Sequence, residues 1–298
     1  MNEPDVDPLN NLLLRLRGER LLYFQNPGNA GDAFIACSTY QRLERLGCLY
    51  EVIKSDCPIE TTRDRVVLYG GGGNLVPIYQ SASGFVTRHH SHARLFVVLP
   101  HTIRGNEALL TTFGDNVHLF CRERASFEHV IRHAPRARVQ ISEDVAFGFD
   151  PQAARSRATK LFWPFLSSPS FAWRNLKRTI RTLPANLGRL AGDRHLVALR
   201  TDSEKTEVSR PMQNIDVSNV FNSALDPIAS LEGTYRLMRF MQRFEKVTTN
   251  RLHIAIMAGI LAKEVHFLPN SYGKNRAVYE FSMANRFPNV LWQEAGLL

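Results

Sequence analysis

The chain has no long apolar run. Its longest, Ile254 to Ala262, holds Gly259 inside it, and a membrane-spanning helix needs about 20 such residues. Cysteine is scarce. Cys37, Cys48, Cys57 and Cys121 have neither metal-ligand spacing nor the density of a disulfide framework, so free thiols in a reducing cytoplasm are expected. The start, Met1 to Asn10, is acidic and polar and lacks the basic and apolar regions of a secretory signal. Internal repeats, low-complexity tracts, a P-loop, a dinucleotide fingerprint and nucleic-acid motifs are all missing. Acidic residues are missing from one long stretch. Pro151 to Gly192 has no Asp or Glu, yet carries Arg155, Arg157, Lys160, Arg174, Lys177, Arg178, Arg181 and Arg189.

The remainder is ordinary for a globular protein. Over 298 residues, 44% are hydrophobic and 22% charged, which excludes collagen, coiled coil and a mostly disordered chain. The formal charge is +9, and 30 of the 37 basic residues are arginine. Arginine grips carboxylate and phosphate in a bidentate fork, so anionic partners are favoured. Arg-rich genomic composition explains the same excess.

Short apolar runs alternate with helical patterns. Leu21–Phe24, Leu49–Ile53, Arg65–Tyr69, Leu95–Leu99, Val117–Cys121 and Val139–Ile141 read as buried strands, with helices over Ala30–Leu46 and Arg124–His133. Later, His195–Arg200, Lys246–Thr248, Val265–Leu268 and Val290–Trp292 read as strands, and Tyr235–Phe244, Arg251–Lys263 and Asn275–Arg286 as helices. That alternation predicts βαβ units and parallel sheets. The expected organisation is an N-terminal Rossmann-like domain (1–150), a basic aromatic linker (151–192) and a C-terminal Rossmann-like domain (193–298), with a cleft between the two domains. The linker interleaves Phe162, Trp163, Phe165, Phe171 and Trp173 with its basic residues. It reads either as an anionic-membrane contact or as a solvated connection whose aromatics pack on one domain. The apolar, basic stretch Asn11–Arg20 is a second candidate for such a contact.

Several segments sit at expected strand ends, where open α/β sheets bind ligands. Asn29-Ala30-Gly31-Asp32 opens a helix, with Asp32 a candidate cap. Gly70 to Gly73, followed by Asn74, is costly in chain entropy and reads as a ligand-facing loop. His101, Arg122, Arg124, Asp144 and Asp202 follow other strands. Arg122 and Arg124 could grip an anion, or form surface pairs with Glu123 worth little. Thr249 or Asn250 is the expected N-cap of the helix that follows, which puts Arg251 and His253 in its first turn, where a bound anion is favoured. Asn270, Ser271 and Lys274 lie after another strand.

Taken in order, these segments resemble the polysaccharide pyruvyl transferase family from about Leu21 to Tyr279. The carriers are the Asn-Xaa-Gly-Asp turn (29–32), the glycine run ending in Asn74, Leu-Pro-His (99–101) and Arg-Glu-Arg-Xaa-Ser (122–126). Glu-Asp-Xaa-Ala-Phe (143–147), Arg-Thr-Asp (200–202), Arg-Leu-His (251–253) and Asn-Ser-Tyr-Gly-Lys-Asn (270–275) complete them. Members often have an acidic residue after the Gly-Asp turn; this chain has Ala33. The resemblance implies a GT-B-like fold. It also implies transfer of a pyruvyl group from phosphoenolpyruvate to two sugar hydroxyls as a ketal, on an acceptor often carried by a lipid diphosphate at the inner membrane face.

Under that resemblance His253 is the general acid and Arg122 lies nearest the donor carboxylate. Arg251, Arg124 and Lys274 are further anion clamps. Gly71, Gly72, Gly73 and Asn74 line the cleft. Asn29, Asp32, His101, Asp144, Asp202, Asn270 and Ser271 are substrate contacts, among them any base for the hydroxyls. A helix N-terminus disfavours a protonated imidazole and a dianionic phosphate favours one, so protonation should couple to donor binding. No metal or cofactor is expected beyond phosphoenolpyruvate as co-substrate. The expected location is the cytoplasm, peripherally at the membrane, with no nucleic-acid partner. A nucleotide-sugar glycosyltransferase and a non-catalytic binding module for nucleic acid or acidic glycan are the rival readings.

Overall fold

A computed structural model describes residues 7–79, 81–162, 169–190, 192–202, 204, 211 and 213–294. They form an α/β fold with two parallel sheets. Two compact units divide them. One runs up to Pro27 and from Ile35 to Phe149; the other holds Gly28–Phe34 and continues from Asp150.

The first unit's strands are β1 (Arg20–Phe24), β2 (Leu49–Val52), β3 (Val66–Tyr69), β4 (Gly72–Leu75), β5 (Leu95–Ile103), β6 (Val117–Cys121) and β7 (Arg138–Ile141). Their order is β2-β1-β3-β5-β6-β7, with β4 paired to β5. Burial follows position. The four residues of β3 are all buried, whereas β2 and β7, at the two edges, alternate exposed and half-buried. An inner parallel strand is covered on both faces, so it reads as a continuous apolar run. The glycine run departs from its expectation. Expected as a ligand-facing loop, its second half is a strand, in which Gly72 pairs with His101 and Leu75 with Ile103. Helix α1 (Pro8–Arg15) precedes β1, and α2 (Ala30–Arg45), α3 (Ile59–Thr62), α4 (Ser81–His89), α5 (Glu107–Leu110) and α6 (Arg124–His133) connect strands. Leu9 and Leu13 of α1 are fully buried. Those two leucines pack into the unit, while Leu14 on the same helix is exposed.

The second unit begins with α7 (Pro151–Phe162) and α8 (Pro169–Leu190), which occupy the stretch expected as a linker. Trp163 and Phe165 lie outside the described residues, as do the side chains of Phe162, Phe171, Arg174 and Arg189. Ala154 and Ala158 of α7 are fully buried, and α7 packs on α10 (Pro227–Met241). Strands β8 (His195–Ala198), β9 (Lys246–Thr249), β10 (Glu264–Phe267) and β11 (Val290–Trp292) lie in sequential order, all parallel. The short α9 (Val217–Val220) precedes α10. α11 (Leu252–Ile260), buried nearly all round, follows β9. The helix expected over 275–286 divides into α12 (Lys274–Val278) and a π-turn, Tyr279–Met283. No helix among the described residues is long and apolar enough to cross a membrane.

Candidate active site

In the first unit the strand order reverses direction between β1 and β3, and ligands of doubly wound sheets bind outside strand ends at such a point. Gln25–Asn26 and Gly70–Asn74 emerge there. The Tyr69 hydroxyl donates to Asn26 Oδ1 at 2.6 Å. Asn74 Nδ2 donates to the Pro27 carbonyl at 3.4 Å, and His101 Nε2 accepts from Leu75 N at 3.3 Å and lies 3.1 Å from Asn74 Oδ1. A Cβ at Gly70 would lie 2.5 Å from Asn26 N, at Gly71 2.9 Å from Pro100 O, and at Gly72 2.3 Å from Asn26 Nδ2. Close approach by the protein's own backbone and Asn26 thus accounts for these three glycines. Gly73 is half-buried in β4.

Arg122, one residue past β6, is almost wholly buried beside an equally buried Asp144. Its NH1 is 2.5 Å from Asp144 Oδ2 and its Nε donates to Thr102 Oγ1 at 2.9 Å. Asp144 also accepts from Ala146 N at 2.9 Å, capping a 3-10 turn. Two expected site residues therefore meet each other. Arg124 is exposed and apart from them. Glu123 does not pair with Arg124. It caps α6 through Ser126 N and pairs with Arg104.

In the second unit, the turn before α2 is a capping box. Asn29 Oδ1 accepts from Gly31 N, and Asp32 Oδ2 accepts from Asn29 N, both at 2.8 Å. Asp32 thus caps the helix reciprocally with Asn29. A Cβ at Gly28 would overlap the Asp32 carboxylate, and one at Gly31 would lie 2.8 Å from His253 Nδ1. The half-buried His253 imidazole therefore rests against this turn.

A charged network occupies the carboxyl ends of β8, β9 and β10. Arg251 makes a fork to Asp216, Nε to Oδ1 at 2.7 Å and NH2 to Oδ2 at 2.6 Å. Its NH2 also lies 2.9 Å from Asp202 Oδ2. Asp202 accepts from Arg200 Nε at 2.7 Å, Arg200 NH1 donates to Glu204 Oε2 at 2.6 Å, and Lys274 Nζ reaches the same oxygen at 2.7 Å. Three cations thus alternate with three carboxylates. Burial by itself would raise the Asp202 carboxyl, but the hydrogen bonds from Arg200 and the charges of Arg251 and Arg200 outweigh it and hold it below the usual range. The same carboxylates hold Arg200 above its ordinary value against the opposing effect of burial.

Asparagines lock the strand ends together. Asn250 Oδ1 accepts from Arg200 N, Asn275 Nδ2 donates to the carbonyls of Asn250 and Leu268, and Asn275 N donates to Asn270 Oδ1. Asn270 Nδ2 is buried and has no hydrogen-bond partner among the described residues, while Ser271 is exposed. Arg251 proves to be the extended N-cap of α11, not a first-turn residue. Thr249, expected there, instead accepts from Arg251 N and donates to Ala198 O.

The second unit therefore brings together Asn29, Asp32 and His253, and separately joins Arg251, Asp202 and Lys274. Sequence reasoning missed Arg200, Glu204 and Asp216 as site residues. The Arg-Thr-Asp run signalled the first, but nothing in the sequence signalled Asp216. It also missed a surface group in the first unit. Glu107, His129 and His133 bring their ligating atoms within 4.8 Å of one another, although His129 Nε2 is hydrogen-bonded to the Gly105 carbonyl at 2.9 Å.

Comparison with known proteins bears on these sites. A family model described as "Polysaccharide pyruvyl transferase" matches residues 29–272. A Bacillus subtilis (strain 168) protein named "Putative pyruvyl transferase EpsO" is 26% identical over 281 residues, covering 86% of this chain and 83% of that one. A crystal structure of an uncharacterized protein from Klebsiella pneumoniae subsp. pneumoniae is similar with a TM-score of 0.74 and 28% identity, over 96% of each chain.

Proposed function

Because the chain belongs to the polysaccharide pyruvyl transferase family, we propose that it moves a pyruvyl group from phosphoenolpyruvate onto two hydroxyls of a glycan, forming a ketal and releasing phosphate. The acceptor in this reading is a polysaccharide repeat unit on a lipid diphosphate, met at the inner face of the membrane. The two Rossmann-like units are read as a pair of the GT-B kind.

A proton goes to the methylene carbon of the donor, and one sugar hydroxyl attacks the cation-like centre that results. A second hydroxyl then displaces phosphate, and both hydroxyl protons leave. The steps need an acid, anion clamps and a base. His253 supplies the acid, held against the backbone at Gly31. Arg251 and Lys274, with Arg200 between them, supply the clamp. Asp202 is the most exposed carboxylate of that network, at 31% of its side chain against 5% for Glu204 and 7% for Asp216, so an incoming phosphate meets it first and competes for its arginines. Arg122 acts through Asp144 as a positioning residue, because its guanidinium faces that carboxylate. Asn74, His101, Asn29, Asp32, Asn270 and Ser271 are read as glycan or donor contacts. This chemistry calls for no further cofactor.

The observation that carries the reading is the second unit's network of three buried cations at strand ends, beginning two residues before the half-buried His253. Calorimetric titration tests it. Phosphoenolpyruvate should bind wild type saturably, and Arg251→Ala should bind at least about tenfold more weakly. His253→Ala should bind donor yet release no phosphate when acceptor is added. Binding of a nucleotide sugar, with no binding of phosphoenolpyruvate, would replace the reading with glycosyl transfer.

A further inference from the structure

Helix α8 is amphipathic in the wrong sense for a helix on a protein surface. Its buried side chains, among those described, are polar. Arg178 is buried, with NH1 2.5 Å from Glu232 Oε1, and its guanidinium lies 5.9 Å from the centre of the Phe221 ring. One turn on, Thr182 is buried and returns its hydroxyl to the Arg178 carbonyl. A further turn on, Asn186 donates to Thr182 Oγ1 and accepts from Arg243. The residues turned outward are large and apolar. Trp173, Leu176, Ile180, Leu183 and Leu187 are each 48 to 61% exposed. Their spacing of three and four places all five on one stripe of the helix. Single exposed apolar residues are commonplace, but a contiguous stripe marks an interaction site.

The charges beside the stripe decide what covers it. Lys177 and Arg181 are exposed one position past Leu176 and Ile180, and Lys177 Nζ lies 5.1 Å from the Trp173 ring centre. Between Pro151 and Gly192 there is no acidic residue at all. A second copy of this helix would bring basic side chains against basic side chains with no carboxylate to pair them. An anionic bilayer supplies both requirements, acyl chains for the stripe and phosphates for the cations.

We infer that the outward face of α8 is a docking surface for anionic lipid, with the helix lying in the plane of the interface. Trp173 sits at headgroup level, where tryptophans concentrate. Lys177 and Arg181 reach headgroup phosphates. The inference stands on α8 alone and does not depend on the pyruvyl reading.

Vesicle co-sedimentation of the full chain tests it. Wild type should bind vesicles of phosphatidylcholine mixed with roughly one-third phosphatidylglycerol at least about tenfold more tightly than pure phosphatidylcholine, and lose that preference in high salt. Ile180→Glu with Leu183→Glu should cut binding about tenfold or more while leaving the thermal midpoint unchanged, because both side chains are exposed. Tryptophan emission should shift to the blue on adding the anionic vesicles, and Trp173→Leu should abolish the shift. Equal binding to both vesicle types, no binding to either, or binding unaffected by the paired substitution would each overturn the inference. So would a dimer that the paired substitution converts to monomer without any vesicle binding, since that would give the stripe to a second copy.

Discussion

Removing Arg122 should cost the first unit more stability than any surface arginine, and the reason is Asp144. Both side chains are 1% exposed and lie 2.5 Å apart. In Arg122→Met, the Asp144 carboxylate stays buried, keeps the Ala146 amide and loses the guanidinium bonded to it. Breaking a buried pair from one side costs about 3–5 kcal/mol, because an uncompensated charge is left behind. Total stability is about 5–15 kcal/mol, so this is about a fifth of it or more. With a urea slope of about 2 kcal/mol/M, the first unit's unfolding midpoint should fall by about 2 M. Replacing both partners should be far milder, since apolar residues of similar volume are often neutral in place of a buried pair. Arg122→Met with Asp144→Leu should therefore recover all but about 1–2 kcal/mol, the remainder being the lost cap on the 3-10 turn. The readout is a urea titration of the four proteins of the cycle, followed by calorimetry with phosphoenolpyruvate on the paired variant. A single-variant loss under about 1 kcal/mol, or no recovery in the pair, would refute the ion-pair argument. Recovered stability with lost donor binding would refute the positioning role and return Arg122 to the donor carboxylate.

Gly31→Ala adds a methyl 2.8 Å from His253 Nδ1. The ring must retreat by about 0.6 Å, and misplacements of this order cost about 10- to 100-fold in rate. Helix propensity favours alanine by about 1 kcal/mol, so the thermal midpoint should hold while phosphate release in the presence of acceptor falls; unchanged turnover would free His253 from the assigned role. Asp202→Asn removes the carboxylate that competes for Arg200 and Arg251, so phosphoenolpyruvate should bind several-fold more tightly by calorimetry, and weaker binding would contradict the competition. Burial is the main cause holding the imidazoles of His89, His90 and His118 below their ordinary range, so the unfolded chain binds more protons than the native one in mild acid. Their stabilising contribution is complete above about pH 6.5 and is lost as pH falls from there towards the lowered native values, at up to about 1.4 kcal/mol per pH unit for each. The first unit's melting midpoint should drop between about pH 7.5 and pH 5.5, and a flat profile would count against neutral native histidines.

Strands were legible where burial on both faces wrote a continuous apolar run. Val117–Cys121 matches the expectation residue for residue, and so does the edge strand Val290–Trp292, although its Leu291 is exposed. Helices were legible where a polar face was present, as in Arg124–His133. The failures have separate physical causes. α10 begins eight residues earlier than its apolar pattern suggested, because Asp226 caps Ile228 N and Ala229 N with Pro227 in the first position, a start signal that the periodicity did not contain. β4 was hidden because glycine carries no β propensity, and its pairing follows from contacts with β5 that are distant in sequence. The charged network was half legible. Its motif residues stood at strand ends, but Asp216 lies in an irregular segment and joins the network through the fork it offers Arg251, besides accepting from Thr201 and Asn219.

Several motifs that read as ligand contacts have structural duties that would require the same residues. Asn29, Gly31 and Asp32 complete a capping box, Gly70 to Gly72 admit neighbouring backbone and Asn26, and Arg122 neutralises Asp144. A pattern shared for those reasons would persist in proteins that share the fold, whatever the chemistry. The network at the ends of β8, β9 and β10 differs in kind. Helices and strands do not need three cations beside one another, and burying them is costly unless each is paired. Here each is paired, so the cluster is neutral as a whole. An anion entering it must displace a carboxylate, and its affinity is the difference between two ionic contacts rather than the full value of one. The most exposed carboxylate, Asp202, is the one such an exchange would move first. That is why Asp202→Asn, which keeps the shape and removes the charge, separates a network built to be exchanged from one that merely holds three strand ends together: only the former answers with tighter donor binding.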